Sequence, residues 1–436
     1  MTQFYTQDID GALAGRIGAA GLDEAKLKSL IAETAGALEA LRKAHDSNAL
    51  PLLRLPAASN DLDTLSGTAA RFIDSFDDVV VLGTGGSSLG GRTICALARP
   101  SENNPRLHFL DNVDGDTFER LFAATDPKRT GFIVISKSGS TAETLSQMFH
   151  CLDVMEKAIG KDAVAKAFLA ITEPGDNVLR RIAKHWNMET LDHDPKIGGR
   201  YSALSIVGLL PTLIAGLSPR SVRDGAKSVL DPILNGDAPE TIAPCIGAAL
   251  SVGLAHQGTN MTVLMPYVDR LADFGLWYRQ LWAESVGKDG QGTTPIRAMG
   301  TVDQHSQVQL YLDGPRDKLF SLVFSKAANT GGLVPKELAN DPSLAYLAGR
   351  TLGDLLDAEQ RATAETLINR GCPTRIFRVD QVDERSLGAL MMHYMIETIV
   401  AAHLMGVDPF DQPAVEEGKI LARKYLQESA QGKNKK

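Results

Sequence analysis

Short apolar runs alternate with stretches of helical length along most of this chain. In the first half the runs are VVVLG (79–83), LHFLD (107–111), GFIVIS (131–136) and AFLAIT (167–172), with helical patterns such as 141–159 between them. Strands and helices in strict alternation imply right-handed βαβ units and a parallel sheet. A second series follows a polar stretch near 231–240. Its runs are MTVLMPY (261–267), VQLYLDG (308–314), LFSLVFS (319–325) and TRIFRVD (374–380), with helices over 272–285 and 386–405. The predicted fold class is therefore α/β, with two three-layer αβα sandwiches that have mainly parallel sheets. Residues 23–45 repeat apolar positions at helical spacing and are expected to form one amphipathic helix, followed by a linker over 48–62. The expected division is an N-terminal helical extension (1–60), a first sandwich (61–230), a second with C-terminal helices (231–425) and a disordered tail (426–436). The two halves are candidates for distant structural copies.

Charge and cysteine content narrow the partners. The 436 residues hold 45 Lys+Arg against 53 Asp+Glu, a formal net charge of -8. No nucleic acid or membrane partner is expected, and an anionic ligand must be gripped by local cations and backbone amides. Residues 201–219 and 241–268 are long and nearly uncharged, but Pro, Gly, Ser and Thr interrupt them, so they read as buried elements. The segment 1–10 lacks the pattern of a signal peptide. Cysteines 95, 151, 245 and 372 form no CxxC, so reduced thiols in a cytoplasmic protein are expected and no metal site.

Two loops stand out as anion sites. The run Gly83-Thr-Gly-Gly86-Ser87-Ser-Leu-Gly-Gly91-Arg92 leads from a strand into a helix, where backbone N–H groups approach a ligand closely. Ser88 breaks a GxGxxG pattern and Arg92 stands where a P-loop has Lys, so NAD and ATP fit poorly. A tight strand–helix turn without a ligand is the plainer alternative. In Ser136-Lys137-Ser138-Gly139-Ser140-Thr141, four hydroxyls and a lysine gather at a strand's C-terminal end. Ser140 and Glu143 have capping-box spacing, which starts a helix there. Hydroxyls, amides and a cation converging on one point suit a phosphate monoester.

Four further motifs lie downstream. In Gly198-Gly199-Arg200-Tyr201-Ser202, a forked permanent cation follows two glycines. In the helix ending Gln280-Leu-Trp-Ala-Glu284-Ser285-Val286-Gly287-Lys288, Gln280 and Glu284 share a face. The helix dipole there makes a carboxylate a better base. The remaining two are Gly300-Thr-Val-Asp-Gln304-His305 and Phe410-Asp411-Gln412-Pro-Ala414-Val-Glu416-Glu-Gly-Lys419.

The two loops resemble the sugar-isomerase (SIS) domain pattern. All the motifs, in this order from about residue 79 to 420, resemble the phosphoglucose isomerase family. Ala414 stands in place of a family Gly, Ser138-Gly139 in place of a Thr-aromatic pair, Val286 in place of Asn, and Ser88 where the family is often acidic. The resemblance implies SIS-type sandwiches and reversible aldose–ketose isomerisation of glucose 6-phosphate and fructose 6-phosphate through a cis-enediolate. It implies that Glu284 shuttles the proton, Arg200 stabilises the enediolate, and His305 with Lys419 opens the sugar ring. It places phosphate on Ser136, Lys137, Ser138 and Thr141 and the sugar near Gly86 and Ser87, with Gln280 and Gln412 on phosphate or hydroxyls. It implies no cofactor, and a cytoplasmic homodimer in which His305 reaches the partner's site. Two alternatives are a bifunctional enzyme that also takes mannose 6-phosphate and a non-catalytic sugar-phosphate sensor. A sensor has no need of Glu284, His305 and Lys419 together.

Overall fold

The structure is a computed structural model that describes residues 4–433. Ten strands form two five-stranded sheets. They are β1 (Thr6–Asp8), β2 (Asp78–Leu82), β3 (Arg106–Leu110), β4 (Thr130–Ile135), β5 (Phe168–Thr172), β6 (Glu189–Asp192), β7 (Met261–Pro266), β8 (Thr294–Arg297), β9 (Lys318–Ser325) and β10 (Thr374–Val379). The first sheet runs β3-β2-β4-β5-β6 and is parallel throughout. Its central strands β2, β4 and β5 are buried along their whole length, the condition that an uninterrupted apolar run satisfies. Phe132 and Phe168 face each other in register and stack at 4.5 Å. Each such buried side chain contributes about 1.5–3 kcal/mol.

The second sheet runs β1-β10-β9-β7-β8. With β1 set aside, its order β8-β7-β9-β10 repeats the β3-β2-β4-β5 order of the first, so the halves are topological copies. The fifth strand breaks the likeness. In the first sheet it is the parallel β6, and in the second it is β1, contributed antiparallel by the N-terminal segment. β1 and β6 are short and polar, as edge strands are, and neither is marked by an apolar run.

In each sheet the chain reverses direction at one point. The connection leaving β2 goes to β3, and the one leaving β4 goes the other way to β5. Right-handed crossovers then put the helices on opposite faces and open a crevice between the C-terminal ends of β2 and β4. The two Gly- and Ser-rich loops emerge at that crevice. At the matching point of the second sheet, the Tyr267 ring packs against Gly300 and Phe324. Gln360 there bonds both backbone groups of Ser325, so protein side chains fill the space.

Helix Glu384–Met405 runs through the middle of the core against helices Pro219–Asn235, Ala243–Ala255 and Ala272–Val286. It is long and apolar enough to cross a membrane, yet 89% of its most apolar window is buried inside the protein. A wholly buried polar group of four crosses it. Arg375 makes a bidentate pair with Glu397 at 2.8 Å, and Glu397 meets His393 Nε2 at 2.8 Å. His393 Nδ1 bonds the Tyr5 hydroxyl at 2.6 Å, which ties the N-terminal segment to the core. All four cysteines are free.

Several expectations need correction. VQLYLDG is not a strand but helix Val308–Asp313. Its apolar residues fit both periods over so short a run. The ones facing the second core are Val308, Tyr311 and Leu312, a helical set, while Leu310 is exposed. The single helix over 23–45 is two, Glu24–Glu33 and Ala35–Asp46, separated at Thr34, whose hydroxyl bonds the Ile31 carbonyl. The linker over 48–62 contains a buried 3-10 helix, Pro51–Ala57, and the start of helix Asn60–Ser75. The tail expected to be disordered from 426 is helical as far as Lys433, within Glu416–Lys433, and 434–436 lie outside the described residues.

Candidate active site

The loop after β2 and the Gly198–Ser202 motif are built into one another. A Cβ on Gly86 would sit 2.1 Å from the Gly199 carbonyl carbon and 2.6 Å from Arg200 N. Only glycine allows that approach, and Ser202 Oγ closes it with a bond to Gly86 O at 3.2 Å. Gly85, at φ +54°, lies against the amide of Gln280. This brings the first sandwich's loop up to helix Ala272–Val286 of the second half.

That helix buries Phe274, Trp277, Tyr278, Leu281 and Trp282 at i, i+3, i+4 spacing. Gln280 and Glu284 fall on its half-exposed edge, and Gln280 Nε2 donates to Glu284 Oε1 at 3.0 Å. Arg200 is buried and crosses the gap. Its Nη1 donates to Glu284 Oε2 at 3.2 Å and to Gln412 Oε1 at 2.6 Å. Its Nε donates to Ser285 Oγ at 2.8 Å, and its Nη2 to the carbonyls of Pro409 and Asp411 at 2.6 and 3.0 Å. Five acceptors offset the burial of a guanidinium that would otherwise cost several kcal/mol. Lys288 anchors the same segment through Asp408 O and the Asp411 carboxylate.

The second loop ends β4, and the Ser136 and Thr141 hydroxyls meet at 3.0 Å. The expected capping box does not form. Helix Ala142–Ile159 starts at Thr141, and no side chain caps it, because the Thr141 hydroxyl is turned to Ser136. Its leading N–H groups therefore face the loop, where they favour an anion. Lys137 Nζ is 3.5 Å from Glu173 Oε1, and Ser138 is exposed. A cavity of about 590 Å³ is lined by Lys137, Gly198, Pro409 and Phe410 among others, linking the second loop to the Arg200 segment.

The candidates thus fall into three groups. Gly86, Arg200, Gln280, Glu284 and Gln412 are brought into direct contact. Ser87, Ser136, Lys137, Ser138 and Thr141 lie on the crevice loops beside them. The side chains of His305 and Lys419 make no hydrogen bond or ion pair with either group. His305 is exposed on the short helix Val302–Ser306. Lys419 is exposed on helix Glu416–Lys433, paired with Glu416 at 2.7 Å.

Three residues were missed as site members. Ser285 and Tyr201 hold Arg200 from behind, and both are polar positions inside apolar surroundings. His193 is buried beside Lys137 with its Nδ1 unpartnered. Burial, and then the Lys137 charge, hold its pKa down to about 4. Nothing in the local sequence singles it out.

Comparison with known proteins bears on this arrangement. Residues 64–436 match the model of the phosphoglucose isomerase family. The chain is 37% identical to the glucose-6-phosphate isomerase of Rubrobacter xylanophilus over 85% of its own length and 87% of that protein. It is 33% identical to that of Carboxydothermus hydrogenoformans, covering 95% and 93%. Among solved structures, a hypothetical protein of Thermus thermophilus superposes with TM-score 0.85 at 33% identity, over 97% of this chain and 99% of that one. A glucose-6-phosphate isomerase of Chlamydia trachomatis shares the fold at TM-score 0.77 and 21% identity, covering 99% and 90%.

Proposed function

The chain belongs to the phosphoglucose isomerase family, and from that premise we propose how its residues interconvert glucose 6-phosphate and fructose 6-phosphate, the reaction of this enzyme. Isomerisation carries a proton between C2 and C1 of the opened sugar. Glu284 removes it and returns it on the same face, and Arg200 stabilises the cis-enediolate formed between. The observation that carries this reading is that one guanidinium nitrogen, Arg200 Nη1, reaches both Glu284 and Gln412. A substrate oxygen next to the carbon that Glu284 deprotonates falls within reach of the same nitrogen, in exchange for those partners. Ser136, Lys137, Ser138 and Thr141 hold the phosphate at the helix N-terminus, Gly86 and Ser87 border the sugar, and Gln280 and Gln412 bind hydroxyls or phosphate.

His305 and Lys419 open the ring. We further infer a cytoplasmic homodimer in which His305 serves the partner's site. The His305 side chain makes no hydrogen bond or ion pair among the described residues of its own chain. Val302 and Leu310 beside it, Leu338 and Tyr346 in the loop after β9, and Ile420 and Tyr425 on the last helix are exposed. Apolar surface of that extent is what a partner subunit covers.

Mixing subunits tests both readings together. His305→Ala and Glu284→Gln proteins should each fail to turn over fructose 6-phosphate in an assay coupled to a glucose-6-phosphate dehydrogenase. Refolded together in equal amounts, they should regain about a quarter of wild-type activity, since half the dimers are mixed and each has one intact site. No recovery from verified mixed dimers would refute the shared site. Binding of fructose 6-phosphate by wild-type protein with no turnover would refute the isomerase.

A further inference from the structure

Arg200 has five N–H donors, and the chain itself occupies all five. The partners divide by chemistry. Nη1 alone meets the side chains assigned to the reaction, Glu284 and Gln412. Nε and Nη2 meet Ser285 and two backbone carbonyls, groups that take no part in it.

Ser285 is itself constrained. Its Oγ lies 3.0 Å from the Tyr201 hydroxyl, and that hydroxyl donates its one proton to the Pro409 carbonyl at 3.3 Å. With that bond made, Ser285 donates its own proton to the Tyr201 oxygen, and its lone pairs receive Arg200 Nε in either orientation of the pair. The connected groups run from Arg200 through Ser285 and Tyr201 to Pro409. Arg200 Nη2 closes the ring on the same Pro409 carbonyl at 2.6 Å. Tyr201 and Ser285 are both buried. Burial pushes the Tyr201 phenol up to about 12, so it keeps its proton over the working pH range.

We propose that Ser285, acting through this ring with Tyr201, is a positioning residue that fixes the tilt of the Arg200 guanidinium so that Nη1 alone meets the enediolate oxygens. The proposal rests on the assignment of Arg200 as the stabilising cation. Without the Ser285 oxygen, Nε–H loses its acceptor and the guanidinium is fixed from behind by its Nη2 bonds alone, so its tilt is less tightly set. The loss falls on the transition state, because the phosphate and hydroxyl contacts that hold the substrate lie elsewhere.

The test is a kinetic cycle on the full-length enzyme with Ser285→Ala, Arg200→Gln and the double variant, thermal unfolding verifying the fold of each. Ser285→Ala should lower kcat about tenfold to a hundredfold, with KM for fructose 6-phosphate changed by less than about threefold. Affinity for a phosphorylated five-carbon aldonohydroxamate, an enediolate mimic, should fall by the same factor as kcat. Affinity for glucitol 6-phosphate, which forms no enediolate, should stay as in wild type. In the Arg200→Gln background, Ser285→Ala should cost less than about twofold, because it acts through Arg200. A full, independent loss in that background overturns the proposal. So does an unchanged kcat, or an equal loss for both ligands. If Ser285→Ala fails to fold, Tyr201→Phe, which removes only the phenol oxygen, carries the same test with an expected loss of about threefold to tenfold. Wild-type kcat in Arg200→Gln alone would instead overturn the assignment of Arg200.

Discussion

Gly86→Ala separates a substrate-loop glycine from a structural spacer. The added methyl would lie 2.1 Å from the Gly199 carbonyl carbon, 2.3 Å from its oxygen and 2.6 Å from Arg200 N, where ordinary contact begins at 3.4 Å. All three are backbone atoms, so no side chain can swing aside. The two segments must part by about 1.3 Å, and the Ser202–Gly86 bond is lost with them. Overpacking of that kind costs about 1–3 kcal/mol of stability. Displacing the Arg200 backbone by about 1 Å should cost on the order of a hundredfold in kcat. The control is Gly67→Ala in helix Asn60–Ser75, where nothing lies within 4 Å of the new methyl. It should be neutral or stabilising by up to about 1 kcal/mol. Urea denaturation and the coupled assay read the two effects. Wild-type kcat in Gly86→Ala would refute the claim that this contact sets the Arg200 position.

The other predictions concern stability. His193 is held down at about 4 in the folded protein and titrates near 6.5 when unfolded. Between those values the unfolded state binds a proton that the native state refuses. Its contribution is therefore complete above about pH 6.5 and falls by up to about 1.4 kcal/mol per pH unit down to about pH 4. His193→Asn should remove one proton from the slope of urea stability against pH, and an unchanged slope contradicts it. Glu397→Ala leaves Arg375 charged and buried without a counter-charge, its Nε still on Ser321, and should cost about 3–5 kcal/mol in denaturant unfolding. A loss under about 1 kcal/mol would mean that the pair contributes little.

The sheets were legible because a strand buried on both faces needs an apolar run, and seven of the eight runs identified in the sequence are strands. The eighth, 308–314, is the case where periods of 2 and 3.6 coincide. The edge strands β1, β6 and β8 were not legible. They are short and half-exposed or polar, and their pairing is decided by neighbours distant in sequence. The crevice loops were legible because glycines and hydroxyls must cluster where backbone meets an anion. What joins them was not. The contact of Gly86 with Gly199, and the span of Arg200 from Ser285 to Gln412, depend on long-range packing that no local pattern encodes. His305 and Lys419, recognised by their motifs, make no bond to Arg200 or Glu284 within one chain, so sequence spacing alone does not assemble the whole site.

Glu284→Gln tests most directly that Glu284 moves the proton. The measurement is turnover of fructose 6-phosphate by Glu284→Gln beside its affinity for the same sugar, read by calorimetry on the same protein. Turnover should fall by at least about a thousandfold, with affinity within about threefold of wild type. Equal turnover in the two proteins would contradict it.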